Sequence, residues 1–369
     1  MIYLDYAATT PINKDVYDSY CKLLNNYYAN SASIHKMGLK ANEFLEASRE
    51  SIASLIKVKK EEIIFTSGAT ESNTLAIQGT LNSYKNKGKR IIVSSIEHPS
   101  IMNLVKTLEQ DYDVCYLSVN EEGKINISEL EELLKTPTLL VSVMHVNNEV
   151  GSINDIDTIG KLCHKYDAIF HSDITQSIGK LDCELTNVDL ASFSSHKLFA
   201  PKGSGVLVKK QNIKLTPLFY GGGQENNLRA GTSNYPTCVS MAKALRLLIE
   251  KKNENCSYIS KLWDKLYNGL KDNELININS RKGCSPYIFN FSVLTLTSEV
   301  LVHSLENEGF CVSTVSACGS KISKGSYVIK SITNNDKYAS SSVRVSLASS
   351  VTENDIDKFI EAIKKIIRK

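Results

Sequence analysis

Short apolar runs alternate with helical patterns along most of this chain, and that alternation constrains the fold more than any other feature. After an irregular opening through His35, a helical stripe over 39–56 carries Leu39, Phe44, Leu45, Ile52, Leu55 and Ile56. Strands are then expected over 63–66, 90–94, 114–117, 138–145 and 168–172, with helices over 70–84, 100–110, 128–135 and 155–166 between them. Strands separated by helices of roughly 10 to 15 residues predict βαβ units and a mostly parallel sheet buried between helices. Ligands of such sheets sit beyond the carboxyl ends of the strands.

Past residue 190, two shorter strands, 190–194 and 205–208, flank a lysine-containing turn; Gly221-Gly222-Gly223 then breaks the pattern and a helix runs from Pro236 to residue 252. The polar residues 251–257 are the best hinge candidate. Beyond them, helices over 258–270, 298–308 and 353–367 with strands over 287–292 and 343–347 predict a second, smaller α/β domain. The Ser-, Gly- and Lys-rich stretch 313–326 reads as a mobile loop.

With 369 residues, 42% of them hydrophobic, the chain can bury a sizeable core. Its 43 basic and 40 acidic side chains leave a net charge of +3 without a basic block, which argues against a direct nucleic-acid footprint or a polybasic membrane anchor. The nine cysteines are odd in number and form no Cys-x-x-Cys pair, so zinc-ribbon, thioredoxin-type and disulfide-scaffold readings lose their signature. The opening Met-Ile-Tyr-Leu-Asp lacks a signal-peptide pattern, and apolar stretches such as 139–146 fall well short of the roughly 20 residues that cross a bilayer. The expectation is a reduced, cytoplasmic protein with no membrane span, whose partner is a small molecule or a protein.

Three local features carry chemistry. Ser67-Gly68-Ala69-Thr70-Glu71-Ser72-Asn73 joins a strand to a helix, so first-turn amides and the Thr70 hydroxyl offer a phosphate cradle; the same residues would also serve as a plain helix cap. Asp173, in His171-Ser172-Asp173-Ile174-Thr175-Gln176, ends a strand among mostly apolar neighbours and needs a cation or several donors, unless it makes an Asx turn. Lys197, in Ser194-Ser195-His196-Lys197, ends another strand, where desolvation would lower its pKa and suit it to a Schiff base. A phosphate cradle, a carboxylate for a pyridinium nitrogen and an amine for an aldehyde make up the kit for pyridoxal phosphate, with Gln176 placed to donate to the ring phenolate oxygen.

Longer stretches extend this into a resemblance. Residues 3–10 (Tyr-Leu-Asp-Tyr-Ala-Ala-Thr-Thr), 65–73, Glu97-His98, 145–151 (His-Val-Asn-Asn-Glu-Val-Gly), 194–197, 221–225 (Gly-Gly-Gly-Gln-Glu) and 229–232 (Arg-Ala-Gly-Thr) resemble the cysteine desulfurases of the NifS and IscS type over nearly the full chain. The resemblance implies a fold-type I, class V aminotransferase-like homodimer. Its large domain, 13–253, would hold a mostly parallel seven-stranded sheet and the pyridoxal phosphate. A smaller α/β domain, 1–12 with 254–369, would carry the catalytic cysteine loop. By position, Lys197 resembles the Schiff-base lysine, Asp173 the pyridinium partner, Gln176 the phenolate donor and His98 the histidine that stacks on the ring and moves protons. Ala69, Thr70, Ser194 and His196 resemble phosphate ligands, joined by Thr232 from the neighbouring subunit, and Asn148 and Arg344 resemble the groups that hold the substrate carboxylate.

Cys318, in Ser313-Thr314-Val315-Ser316-Ala317-Cys318-Gly319-Ser320, resembles the nucleophile of the family's Gly-Ser-Ala-Cys loop, with Tyr327-Val328-Ile329 similar to the helix that closes it. The implied reaction moves sulfur from L-cysteine to Cys318 as a persulfide, releases L-alanine and passes the sulfur to an acceptor, an iron-sulfur scaffold or a tRNA thiolation enzyme. Val315 stands where the family usually has glycine, which implies a stiffer or shifted loop entrance. Cys311 is the rival nucleophile, and the other seven cysteines are read as bystanders. No resident metal is expected, although the resemblance leaves room for Cys318 as a transient ligand of a nascent cluster. The rival enzymes are a selenocysteine lyase or another class V aminotransferase. A scaffold that only docks acceptors is the rival of another kind, which the full set Lys197, Asp173, His98 and Arg344 argues against.

Overall fold

The computed structural model describes residues 1–314 and 325–368. Its first part runs β1 (Ile2–Tyr3), α1 (Lys14–Asn26), α2 (Lys36–Leu55), β2 (Ile63–Thr66), α3 (Ala69–Ser83), β3 (Arg90–Ser94), α4 (Pro99–Leu108), β4 (Asp113–Leu117) and α5 (Ile127–Leu134). There follow β5 (Thr138–Ser142), α6 (Ile156–Lys165), β6 (Ile169–Asp173), β7 (Leu190–Ser194), β8 (Gly205–Lys209), α7 (Tyr235–Glu250) and α8 (Lys252–Leu270). The last part holds β9 (Ile276–Ile278), β10 (Ile288–Val293), α9 (Ser298–Asn307), β11 (Phe310–Cys311), β12 (Ser313–Thr314), α10 (Tyr327–Thr333), α11 (Asp336–Ser340), β13 (Ser342–Ser346) and α12 (Glu353–Ile367).

Seven strands form one sheet in the order β2-β8-β7-β6-β5-β3-β4. All ladders between β7 and β4 are parallel, and β8 alone runs against its neighbours β2 and β7. The five residues of β5, β6 and β7 are buried throughout, as expected of strands covered by helices on both faces. One face packs on a core that includes Ile52, Phe170, Phe193 and Met241, and the other on a core around Leu75, Ile91, Val105 and Leu139. A second sheet, β12-β13-β10-β9, is antiparallel, and its Phe289 and Phe291 join a core with Trp263 of α8 and Phe359 of α12. The amino terminus joins this part: β1 pairs in parallel with β11, and Asp5 bridges to Ser346. No helix among the described residues is long and apolar enough to cross a membrane.

Several boundaries differ from expectation. The opening is not irregular: α1 is capped by Asn13, whose side chain accepts from Asp15 N at 2.9 Å, and it buries Val16 and Leu23. The polar stretch 251–257, expected as a hinge, is mostly helical: only Lys251 separates α7 from α8, and the remainder is the solvated first turn and a half of a helix. The strand expected over 138–145 ends at Ser142 on its β3 side, where Met144 N donates to the Glu97 carboxyl at 2.7 Å, while Val143 N and His145 N still donate to the His171 and Asp173 carbonyls at 3.1 and 3.0 Å. Within the stretch expected as a loop, Ser313–Thr314 forms β12 and Ser326 caps α10, while 315–324, Cys318 included, lies outside the described residues.

Candidate active site

A cavity of about 600 Å³ opens beyond the carboxyl ends of the central strands, where a parallel sheet places its ligands. One wall is the turn from β2 into α3, where Ala69 and Thr70 present first-turn amides. The turn is braced by Glu71, whose Oε2 accepts from Ser67 N at 2.8 Å and whose Oε1 accepts from Arg229 Nε at 2.9 Å. Behind it β8 comes in so close that a Cβ on Gly205 would lie 2.7 Å from Gly68 Cα, so the residue there has to be glycine.

Asp173, the last residue of β6, is 5% exposed. Its Oδ1 accepts from Thr175 N and its Oδ2 from Asn73 Nδ2, both at 2.9 Å. Asn73 Nδ2 also donates to Ser100 Oγ at 2.9 Å, and Ser100 Oγ lies 2.9 Å from His98 Nδ1, so a side-chain relay joins the Asp173 carboxylate to the His98 ring. Burial pushes the His98 pKa down and favours the neutral ring, while Asp173 pulls the other way. Asn73 and Ser100 are the site residues that sequence reading missed. Beneath them His171 is fully buried between Ser142 and Ser192, and burial lowers it to about 4.

Lys197 closes the short helical turn after β7, and its Nζ donates to the carbonyls of Ala7, at 2.5 Å, and Ala8. Burial pushes its pKa down to about 7, with Arg344 and Lys180 adding to the fall. Gln176 Nε2 donates to the same Ala7 carbonyl at 3.1 Å. His196 Nδ1 lies 3.1 Å from Thr9 Oγ1, and burial with the Lys197 charge lowers it to about 4. Ser194 lies at the end of β7 and also lines the cavity. Opposite, Arg344 on β13 is 5% exposed; its Nη2 donates to Asp5 Oδ1 at 2.8 Å and its Nη1 to the Asn148 carbonyl at 2.9 Å. Among the described residues its buried Nε has no partner, and neither has Thr175 Oγ1, which also lines the cavity.

The structure thus gathers Lys197, Asp173, His98, Gln176, Ala69, Thr70, Ser194, His196, Asn148 and Arg344 around one space. Thr232 is exposed and does not line it, and Cys318 lies outside the described residues. An enclosed amine, a carboxylate held by neutral donors, a helix amino terminus and orphaned buried donors fit an aromatic aldehyde that carries a phosphate.

Comparison with known proteins agrees with this geometry. The model of the family "Aminotransferase class-V" matches residues 2–359. The chain is 41% identical to cysteine desulfurase IscS of Pectobacterium atrosepticum over 99% of its own length and 92% of that protein. It is 42% identical to cysteine desulfurase IscS of Buchnera aphidicola over 100% and 93%. The solved structure of a NifS-like protein superposes with a TM-score of 0.94 at 32% identity, covering 100% of this chain and 99% of that one. The chain belongs to the class V aminotransferase family and, within it, to the cysteine desulfurases. These families depend on pyridoxal phosphate.

Proposed function

We propose that this protein removes sulfur from L-cysteine with pyridoxal phosphate, releases L-alanine and keeps the sulfur as a persulfide on Cys318 for an acceptor protein. The observation that carries this reading is the meeting in one cavity of an amine lowered to about 7, a buried carboxylate and a buried arginine fork. Bound there, pyridoxal phosphate supplies an electron sink for the bonds to the substrate carbon skeleton.

The side chains divide that work. Lys197, with its pKa near neutrality, is a nucleophile for the cofactor aldehyde and afterwards a base beside the substrate. Asp173, fixed by Asn73 and Thr175, is positioned to keep a ring nitrogen protonated, and Gln176 to donate to a ring oxygen. First-turn amides at Ala69 and Thr70, with Ser194 and His196, hold the phosphate. Arg344 and Asn148 take the substrate carboxylate, Asp5 occupying one arm of the arginine fork until substrate arrives. His98, held on the neutral side by burial, is a proton acceptor at its free ring nitrogen. In the sulfur step a bond forms between Cys318 Sγ and the substrate sulfur, the Cβ–S bond breaks, and the thiol proton ends on the carbon released as alanine.

We divide the chain into a cofactor-binding domain, 13–253, and a smaller domain, 1–12 with 254–369; the β1–β11 pairing and the Asp5–Ser346 bridge support the split. A homodimer in which Thr232 completes the neighbouring subunit's phosphate site suits that residue's exposure and the exposed Phe219 and Tyr220 on the adjoining segment. A reducing, cytoplasmic setting suits a chain that works through a free thiol, and the acceptor is an iron-sulfur scaffold or a tRNA thiolation enzyme. The test is alanine release from L-cysteine with a reductant, comparing wild type with Cys318→Ala, both yellow and cofactor-loaded. Release by wild type alone supports the reading. Equal release by both moves the activity to a lyase or aminotransferase.

A further inference from the structure

Two glutamates from the motifs that define the site have no part in the chemistry above, and both lead to the same stretch of chain. Glu149 is 3% exposed and lines the cavity beside Asn148, and its Oε2 accepts from the Ser326 hydroxyl. The next residue, Tyr327, donates its hydroxyl to the Glu97 carbonyl. Ser326 Oγ also accepts from Ile329 N at 3.1 Å as the cap of α10, and Ser326 N donates to the Ala339 carbonyl at 2.9 Å. A Cβ on Gly325 would lie 2.6 Å from the Ala339 carbonyl carbon, so the backbone is pressed against α11 there.

Glu149 is itself fixed. Asn147 Oδ1 accepts from Glu149 N at 2.9 Å and from Val150 N at 3.0 Å, while Asn147 Nδ2 donates to the Ile96 carbonyl at 3.0 Å. The residue inside this turn is Asn148, whose carbonyl accepts from Arg344. On the other side Ser313 pairs with Arg344 across the β12–β13 ladder. Both ends of the chain segment that contains Cys318 are therefore tied to the place where the substrate carboxylate would bind: one end through β13 and the other through Glu149.

We infer that Glu149 is a positioning residue for sulfur removal: through Ser326 it fixes the carboxyl-side root of the Cys318 segment to the turn that carries Asn148 and contacts Arg344. The inference rests on the desulfurase reading and adds a residue to it. Burial pushes the Glu149 carboxyl up to about 7 against the pull of the Ser326 hydroxyl and of Arg344, so loss of the hydroxyl removes the closest group that favours the carboxylate.

The test compares E149A, S326A, their double variant and S326T in the cofactor-loaded enzyme. Each single loss is expected to slow persulfide formation on Cys318 in a single turnover by about tenfold, the scale of one hydrogen bond to a charged group. The KM for L-cysteine should stay within about twofold, because the substrate arm is intact. The double variant should be no slower than the slower single variant, and S326T should return to near the wild-type rate. A readout independent of turnover is amide exchange at Ile329 and Lys330 of α10, expected to be faster in E149A. Additive losses in the double variant, a raised KM with an unchanged turnover rate, or S326A at the wild-type rate would overturn the inference. If wild type makes no alanine the desulfurase reading fails by itself, and unchanged α10 exchange in E149A then refutes the anchor separately.

Discussion

Lys180 offers a quantitative test of how burial sets charge around this site. It is 5% exposed, beside a small cavity lined by Tyr6, Thr10 and Phe199, and its ammonium faces the Tyr287 ring at 5.7 Å from the centroid. Desolvation lowers its pKa from 10.5 to about 8. That fall corresponds to roughly 3 kcal/mol carried against the charged form, of which the ring contact returns about 1 kcal/mol that a methionine would forgo. Lys180→Met should therefore stabilise the cofactor-free protein at pH 7 by about 2 kcal/mol. The folded state binds fewer protons than the unfolded state between about pH 8 and 10.5, so wild-type stability rises with pH over that window and the whole penalty is present below it. The advantage of the variant should accordingly shrink towards pH 10. Urea unfolding at a series of pH values measures both effects. A variant less stable than wild type at pH 7, or one whose advantage stays constant up to pH 10, would refute the reasoning. Because the Lys180 charge also lowers Lys197, the variant should raise the Lys197 pKa towards its ordinary value.

Three further changes probe the cradle, the fork and the frame. Gly205→Ala places a methyl group 2.7 Å from Gly68 Cα; the visible band of the cofactor should be lost on dialysis sooner than in wild type. Arg344→Lys removes a bidentate fork, and steady-state kinetics should show the KM for L-cysteine raised by about tenfold or more with a smaller change in turnover rate. Glu225 accepts from Arg49 Nη1 at 2.7 Å, from Arg49 Nη2 at 2.9 Å and from Phe65 N at 2.8 Å. Glu225→Ala leaves that guanidinium with only the Glu46 carboxylate, at 3.1 Å from Nε, and the Ile63 carbonyl, at 2.7 Å from Nη1, and should cost about 2 to 3 kcal/mol in urea unfolding.

The α/β alternation was legible because β3 and β5 carry continuous apolar runs, 91–93 and 139–141, and helices such as α4 have a buried stripe, Ile101, Val105 and Leu108. α1 was not: Val16, Tyr20 and Leu23 make a stripe at helical spacing, but only Val16 and Leu23 of its thirteen residues are buried, and the exposed Tyr17 and Leu24 beside them blur the pattern. The polar residues 251–257 read as a hinge because the apolar stripe of α8 starts only at Ile259. The two-residue strands β1, β11 and β12 exist through partners distant in sequence and have no local signal. At the site, Asp173 and Lys197 could be read from their places at strand ends. Asn73 and Ser100 could not, since what marks them is a hydrogen bond across two helices.

The most direct test of the central claim is mass spectrometry of the Cys318 peptide after the cofactor-loaded enzyme has met L-cysteine without reductant. One added sulfur atom on Cys318, removed by dithiothreitol and missing in Lys197→Ala, is the predicted result. Alanine produced with Cys318 unmodified, or the added sulfur found on Cys311 instead, would contradict it.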